Sequence, residues 1–251
     1  MAPPEEADGP HLNLGGQAGF SWATGNTKSL VANGAVRASL RSGDDQLTVS
    51  GVYAYSSARS VAEGEPSSAP EKRFIADDNL YARARYDRHF LERNAAFFGF
   101  LTFRDPSSGF TSRFMPYAGL LRTFAEKRDV WSFWGEAGYR AAFERLDLDD
   151  AAMAAGLPAS RLVHGPSAFL GYRLGLSTTV SFDIGAEALT DVRRPSDLRI
   201  NTFGSLVSFI AGDVSFGVSW NSRYLYEPIG DRRPLDTSLQ IVFINQHKFK
   251  L

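Results

Sequence analysis

Four histidines, His11, His89, His164 and His247, are the side chains best suited to move protons near neutral pH. Each stands alone on its own segment, with no H-E-x-x-H or comparable spacing. An acyl hydrolase needs a serine and a histidine held by a third polar group. Ser167 is close to His164 in sequence but sits at a loop boundary. A rim protease would have to combine His164 with Asp147, Asp149 or Asp150, and no spacing selects that set. The same aspartates could suggest calcium. A calcium loop needs glycine at its sixth position and glutamate at its twelfth, where this chain has Ala152 and Pro158. With no cysteine, thiolate metal sites and disulfides are excluded. No catalytic residue, cofactor or metal site is expected.

The charges offer a better-defined pattern. In Val130–Glu144, Trp131, Phe133, Gly135, Ala137, Tyr139, Ala141 and Phe143 alternate with Ser132, Trp134, Glu136, Gly138, Arg140, Ala142 and Glu144. Thr178–Leu189 alternates likewise, with Asp183 and Glu187 on the polar phase. A period of two is that of a β-strand with two unlike faces. Charges of both signs on one face can form a salt-bridged filling or line a narrow hydrated path for ions or small solutes.

Twelve strand-like segments carry this alternation, near 11–24, 28–41, 46–57, 74–88, 95–104, 112–124, 130–145, 166–175, 178–190, 198–210, 214–226 and 237–249. Most exceed the usual globular strand of about 5–6 residues and suit a tilted membrane crossing. Short links such as Ser42–Asp45 and Ala211–Asp213 alternate with longer ones such as Ser57–Arg73, Leu146–Gly165 and Glu227–Asp236. Only TGNT breaks the trend. The expected fold is an all-β, twelve-stranded antiparallel up-and-down transmembrane β-barrel over 11–251, after a flexible acidic lead-in at 1–10. Leu148–Pro158 reads as a helical insert in one long loop.

In such a barrel the apolar phase faces lipid and the charged phase faces the lumen. Two aromatic girdles are then expected. Trp22, Tyr53, Tyr55, Tyr139, Trp220, Tyr224 and Tyr226 fall near the long-loop end. Tyr86, Phe97, Trp131, Phe133 and Tyr172 fall near the tight-turn end. Inside, Arg37, Arg41, Arg83, Arg85, Arg122 and Arg173 gather toward the turns, opposed there only by Asp87. Arg104, Glu144, Arg199 and Arg223 are also assigned to the lumen. Glu136, Arg140, Asp183 and Glu187 are expected to form a mixed-charge belt near the middle, because buried charges persist only when paired.

The stretches Gly19–Leu40 (GFSWATGNTKSLVANGAVRASL), Trp134–Asp147 (WGEAGYRAAFERLD) and the closing strand after EPIGDRRPLDTSLQIVF (Glu227–Phe243) resemble the YdiY-like family of salt-induced outer-membrane proteins. The resemblance spans nearly the whole chain and is diffuse. It implies a barrel in the bacterial outer membrane and supplies no catalytic residues. One departure is the C-terminus, which ends KFKL with Phe249 two residues early, where such barrels often end in an aromatic residue.

The net charge of -1 gives no basic footprint for nucleic acid. The expected function is a non-enzymatic outer-membrane barrel, either a narrow or charge-sealed channel or an envelope-structural protein. The alternatives are an outer-membrane enzyme acting on lipid or peptide and a soluble all-β binding protein. Expected partners are membrane lipid, lipopolysaccharide, the barrel assembly machinery and, if the lumen conducts, small ions or solutes.

Overall fold

The structure is a computed structural model. It describes residues 9–24, 29–60, 72–106, 110–127, 130–146, 148, 156, 158–226 and 234–250. Twelve antiparallel strands close on themselves in sequence order. They are β1 (His11–Thr24), β2 (Ser29–Ser42), β3 (Asp45–Ser60), β4 (Lys72–Phe90), β5 (Asn94–Asp105) and β6 (Phe110–Lys127), followed by β7 (Trp131–Leu146), β8 (Ser160–Gly175), β9 (Val180–Thr190), β10 (Leu198–Ala211), β11 (Val214–Leu225) and β12 (Leu235–Lys250). β1 pairs with β12 over its whole length, from His11–Lys250 to Thr24–Thr237, so the sheet has no free edge.

The outside is apolar. Phe20 is 60% exposed, Val36 68%, and Leu120 58%. In water such a band would be an aggregation hazard; in hydrocarbon it is the solvated surface of a transmembrane barrel. The buried apolar cluster instead lies inside, among Phe97, Leu101, Met115, Tyr117, Leu121 and Val163.

Two tight turns place glycine in the left-handed region, Gly43 at φ 55° and Gly212 at φ 59°. A Cβ there would be strained. At the other end, β8 begins at Ser160, earlier than Pro166 suggests. A proline can sit in a strand only where its missing N–H leaves no ladder bond unmade. His164 gives its carbonyl to Val192, so the same edge of Pro166 also faces the β9 side. Register with β9 starts only at Ser167–Leu189. The long link therefore contracts, and the helix expected at Leu148–Pro158 falls mostly on residues outside those described.

Among the described residues no helix is long and apolar enough to cross a membrane.

Candidate functional site: the barrel interior

Inward side chains form layers from the turn end to the loop end. Lowest, Arg173 on β8 meets its register partner Asp183 on β9, Nε to Oδ1 at 2.6 Å. Next, Arg85 on β4 donates through Nε to Asp87 at 2.8 Å and through Nη1 to both oxygens of Glu136 at 2.8 and 2.9 Å. Glu136 stands on β7, so this arginine passes over β5 and β6. Its guanidinium rests 4.2 Å from the Phe97 ring centroid, which the low local dielectric strengthens. Arg83 donates from Nε to the Tyr117 hydroxyl at 2.7 Å.

Above these, Arg140 on β7 pairs with Glu187 on β9, and Asn201 donates to the other Glu187 oxygen at 3.2 Å. Arg140 also lies over the Tyr117 ring, 5.2 Å from its centroid. At the loop end, the Glu144 side chain is wholly buried and bound by three arginines: Arg113 at 2.8 Å, Arg161 at 2.7 Å and Arg199 at 2.5 Å. Asp197, from the turn before β10, shares Arg199 at 2.9 Å. Five charged groups packed this tightly are affordable only because each neutralises its neighbours. Arg223 on β11 bonds Asp105 on β5 at 2.7 Å, and these strands stand opposite in the ring of twelve.

Residues 16–245 match the family described as "Protein of unknown function, DUF481". The chain belongs to this family. No curated protein matches. Among solved structures, the family fold seen here is similar to the NanC porin, with a TM-score of 0.58 and 11% identity, covering 94% of this chain and 100% of that one. It is also similar to the KdgM porin, with a TM-score of 0.52 and 11% identity, covering 92% and 98%. At these identities the likeness is one of fold: the barrel fold of outer-membrane porins.

The interior of this DUF481 chain departs from the alternation in instructive ways. Glu136, Arg140, Asp183 and Glu187 all point inward, but they do not form one belt. Only Arg140 and Glu187 meet; Glu136 goes to Arg85, and Asp183 to Arg173. Glu136 and Arg140 share a strand, about 13 Å apart at four residues' rise. Asp183 and Glu187 are spaced likewise, so the four occupy two heights. Arg37, Arg41, Arg83, Arg85, Asp87 and Arg173 face inward, yet Asp87 is not the only counter-charge low in the barrel.

Arg122 corrects the expectation outright. It is exposed on the outer face it shares with Leu120 and Phe124, and its register partner is Gly135. The phase of β5 is reversed too: Phe97 is 6% exposed and inward, whereas Arg104 shares the outer face of its partner Leu80. Both strands carry apolar side chains on both faces, so alternation could not identify their sides. Arg113, Arg161, Asp105 and Asp197 were missed for related reasons. Arg161 lay in an expected loop, although its register partner is Glu144.

On the outside, Tyr53, Tyr55, Tyr86, Tyr139 and Tyr226 are exposed, and Trp131, Tyr172, Trp220 and Tyr224 are half-buried. The backbone of Trp22 lies in β1; its side chain is outside the described set. Tyr139 bonds His164 across the outer wall, oxygen to Nδ1 at 2.6 Å. Ser167 pairs with inward Gly138, so His164 and Ser167 face opposite sides of the wall. Asp147, Asp149 and Asp150 fall outside the described residues.

Proposed function

We propose that this chain is a non-enzymatic bacterial outer-membrane barrel forming a narrow channel, crossed by ion pairs and selective for small anions. The carrying observation is the difference between its two inner walls. From β4 to β8 the wall is filled by Phe97, Leu101, Met115 and Tyr117 and their arginines. From β11 round to β3 it presents mostly uncharged side chains, among them Ser219, Gln17 and Ser50, with Arg37 between them and Arg41 and Arg223 nearer the two ends. Among the described residues no carboxylate forms an ion pair with Arg37, whereas Arg85 and Arg173 each have at least one. An anion passing along the open wall meets uncompensated positive charge; a cation meets repulsion.

In this reading the termini and tight turns face the periplasm and the longer links face outward. Membrane lipid surrounds the apolar band, and the barrel assembly machinery inserts it. The finer likeness to YdiY-like salt-induced barrels belongs to the same proposal. The test is the reversal potential across a planar bilayer under a salt gradient. Anion preference at low salt, fading as salt screens the arginines, supports the channel. A parent that never conducts leaves the sealed, envelope-structural barrel as the better reading.

A further inference from the structure

The outer wall at the loop end carries a feature unrelated to the lumen. Thr102, Phe114, Phe143 and Leu162 lie in one register row across β5 to β8. Phe114 sits against Phe100 and Phe143, with ring centroids 6.1 and 6.5 Å apart. The row immediately above is Ser112, Arg145 and Ser160, joined in register across β6, β7 and β8. Arg104 stands on the same outer face near the top of β5. A groove of about 510 Å³ runs between the two rows. Arg145 is exposed and, among the described residues, has no carboxylate partner.

Height selects the ligand. From Trp131 to Arg145 strand β7 climbs roughly 35 Å at a tilt of about 40°, against an apolar band about 25 Å tall. Arg145 therefore stands at headgroup level, with the Phe114–Phe143 shelf at the edge of the hydrocarbon. A guanidinium group and serine hydroxyls above, apolar rings below, match a phosphate ester carried on acyl chains.

We propose that this groove binds a phosphorylated glycolipid of the outer leaflet, its phosphate on Arg145 and the flanking serine hydroxyls and its acyl chains on the phenylalanine shelf. The site rests on the outward orientation proposed above and not on conduction.

The full chain, folded in detergent, is titrated with bis-phosphorylated lipid A and the bound lipid counted by native mass spectrometry. Retention should fall about tenfold in the Arg145→Ala variant, consistent with loss of charge-assisted bonds. Heat-modifiable migration confirms that the variant is folded; if it is not, Arg145→Gln is compared. Dephosphorylated lipid A should bind parent and variant equally weakly. Equal retention of lipid A by parent and folded variant overturns the site. So does retention of the dephosphorylated lipid as tight as that of lipid A, or equal retention of phosphatidylglycerol, or displacement of lipid A by inorganic phosphate alone. Because micelles have no sidedness, a failure here is separate from a failure of the proposed orientation.

Discussion

Arg223 spans the lumen to Asp105, joining β11 to the strand facing it across the ring, Nη1 to Oδ2 at 2.7 Å. A contact between opposite strands must cross the space that a channel would use. Its guanidinium also lies 5.6 Å from the Phe103 centroid, which holds the bridging side chain toward the filled wall. Replacing Arg223 with alanine removes one lumen cation, so it should raise single-channel conductance several-fold and weaken the anion preference. An unchanged conductance would mean that the bridge does not limit flow.

Glu144 is the hub of the loop-end cluster. Glu144→Gln leaves Arg113, Arg161 and Arg199 with Asp197 as the remaining carboxylate among them. Breaking a buried pair from one side costs about 3–5 kcal/mol. Urea unfolding in lipid vesicles should show a loss of that order, and a loss below about 1 kcal/mol would contradict the buried hub.

The lipid face can be tested at Ala137, which is exposed on the outer phase of β7. Arginine there should cost about 2–4 kcal/mol near mid-membrane. At the inward neighbour Gly138 the same residue fails differently, because any Cβ would collide with the Ala118 carbonyl oxygen. Unaltered stability of Ala137→Arg in bilayers would reverse the two faces.

Orientation is open to a clean chemical test, since the chain has no cysteine. A cysteine introduced at Glu63, in the link between β3 and β4, should react with an impermeant maleimide on intact cells. A cysteine at Asp44, in the tight turn between β2 and β3, should react only after the outer membrane is breached. The opposite pattern would invert the barrel.

Much of the architecture is legible in the sequence because one phase of β7 and β9 is charged and the other is not. Glu136, Arg140 and Asp183 cannot face hydrocarbon, and that fixes every residue between them. β5 and β6 gave no such signal. Leu101, Met115 and Leu121 fill the lumen while Phe98, Phe114 and Leu120 face out, so Arg104 and Arg122 took the wrong side. The pairing of charges was illegible for a different reason. Which carboxylate an arginine reaches depends on its height and on chords across the ring, as with Arg85 and Glu136, and neither follows from order along the chain. Pro166 concealed the start of β8, and with it Arg161.

The central claim is an anion path along the open wall past Arg37. Its most direct test is the reversal potential of the parent and of Arg37→Glu in planar bilayers at low salt. The parent should be anion-selective, and Arg37→Glu should lose that preference or become cation-selective while remaining folded by heat-modifiable migration. A parent that is cation-selective, or a selectivity that ignores the charge at position 37, would contradict the account.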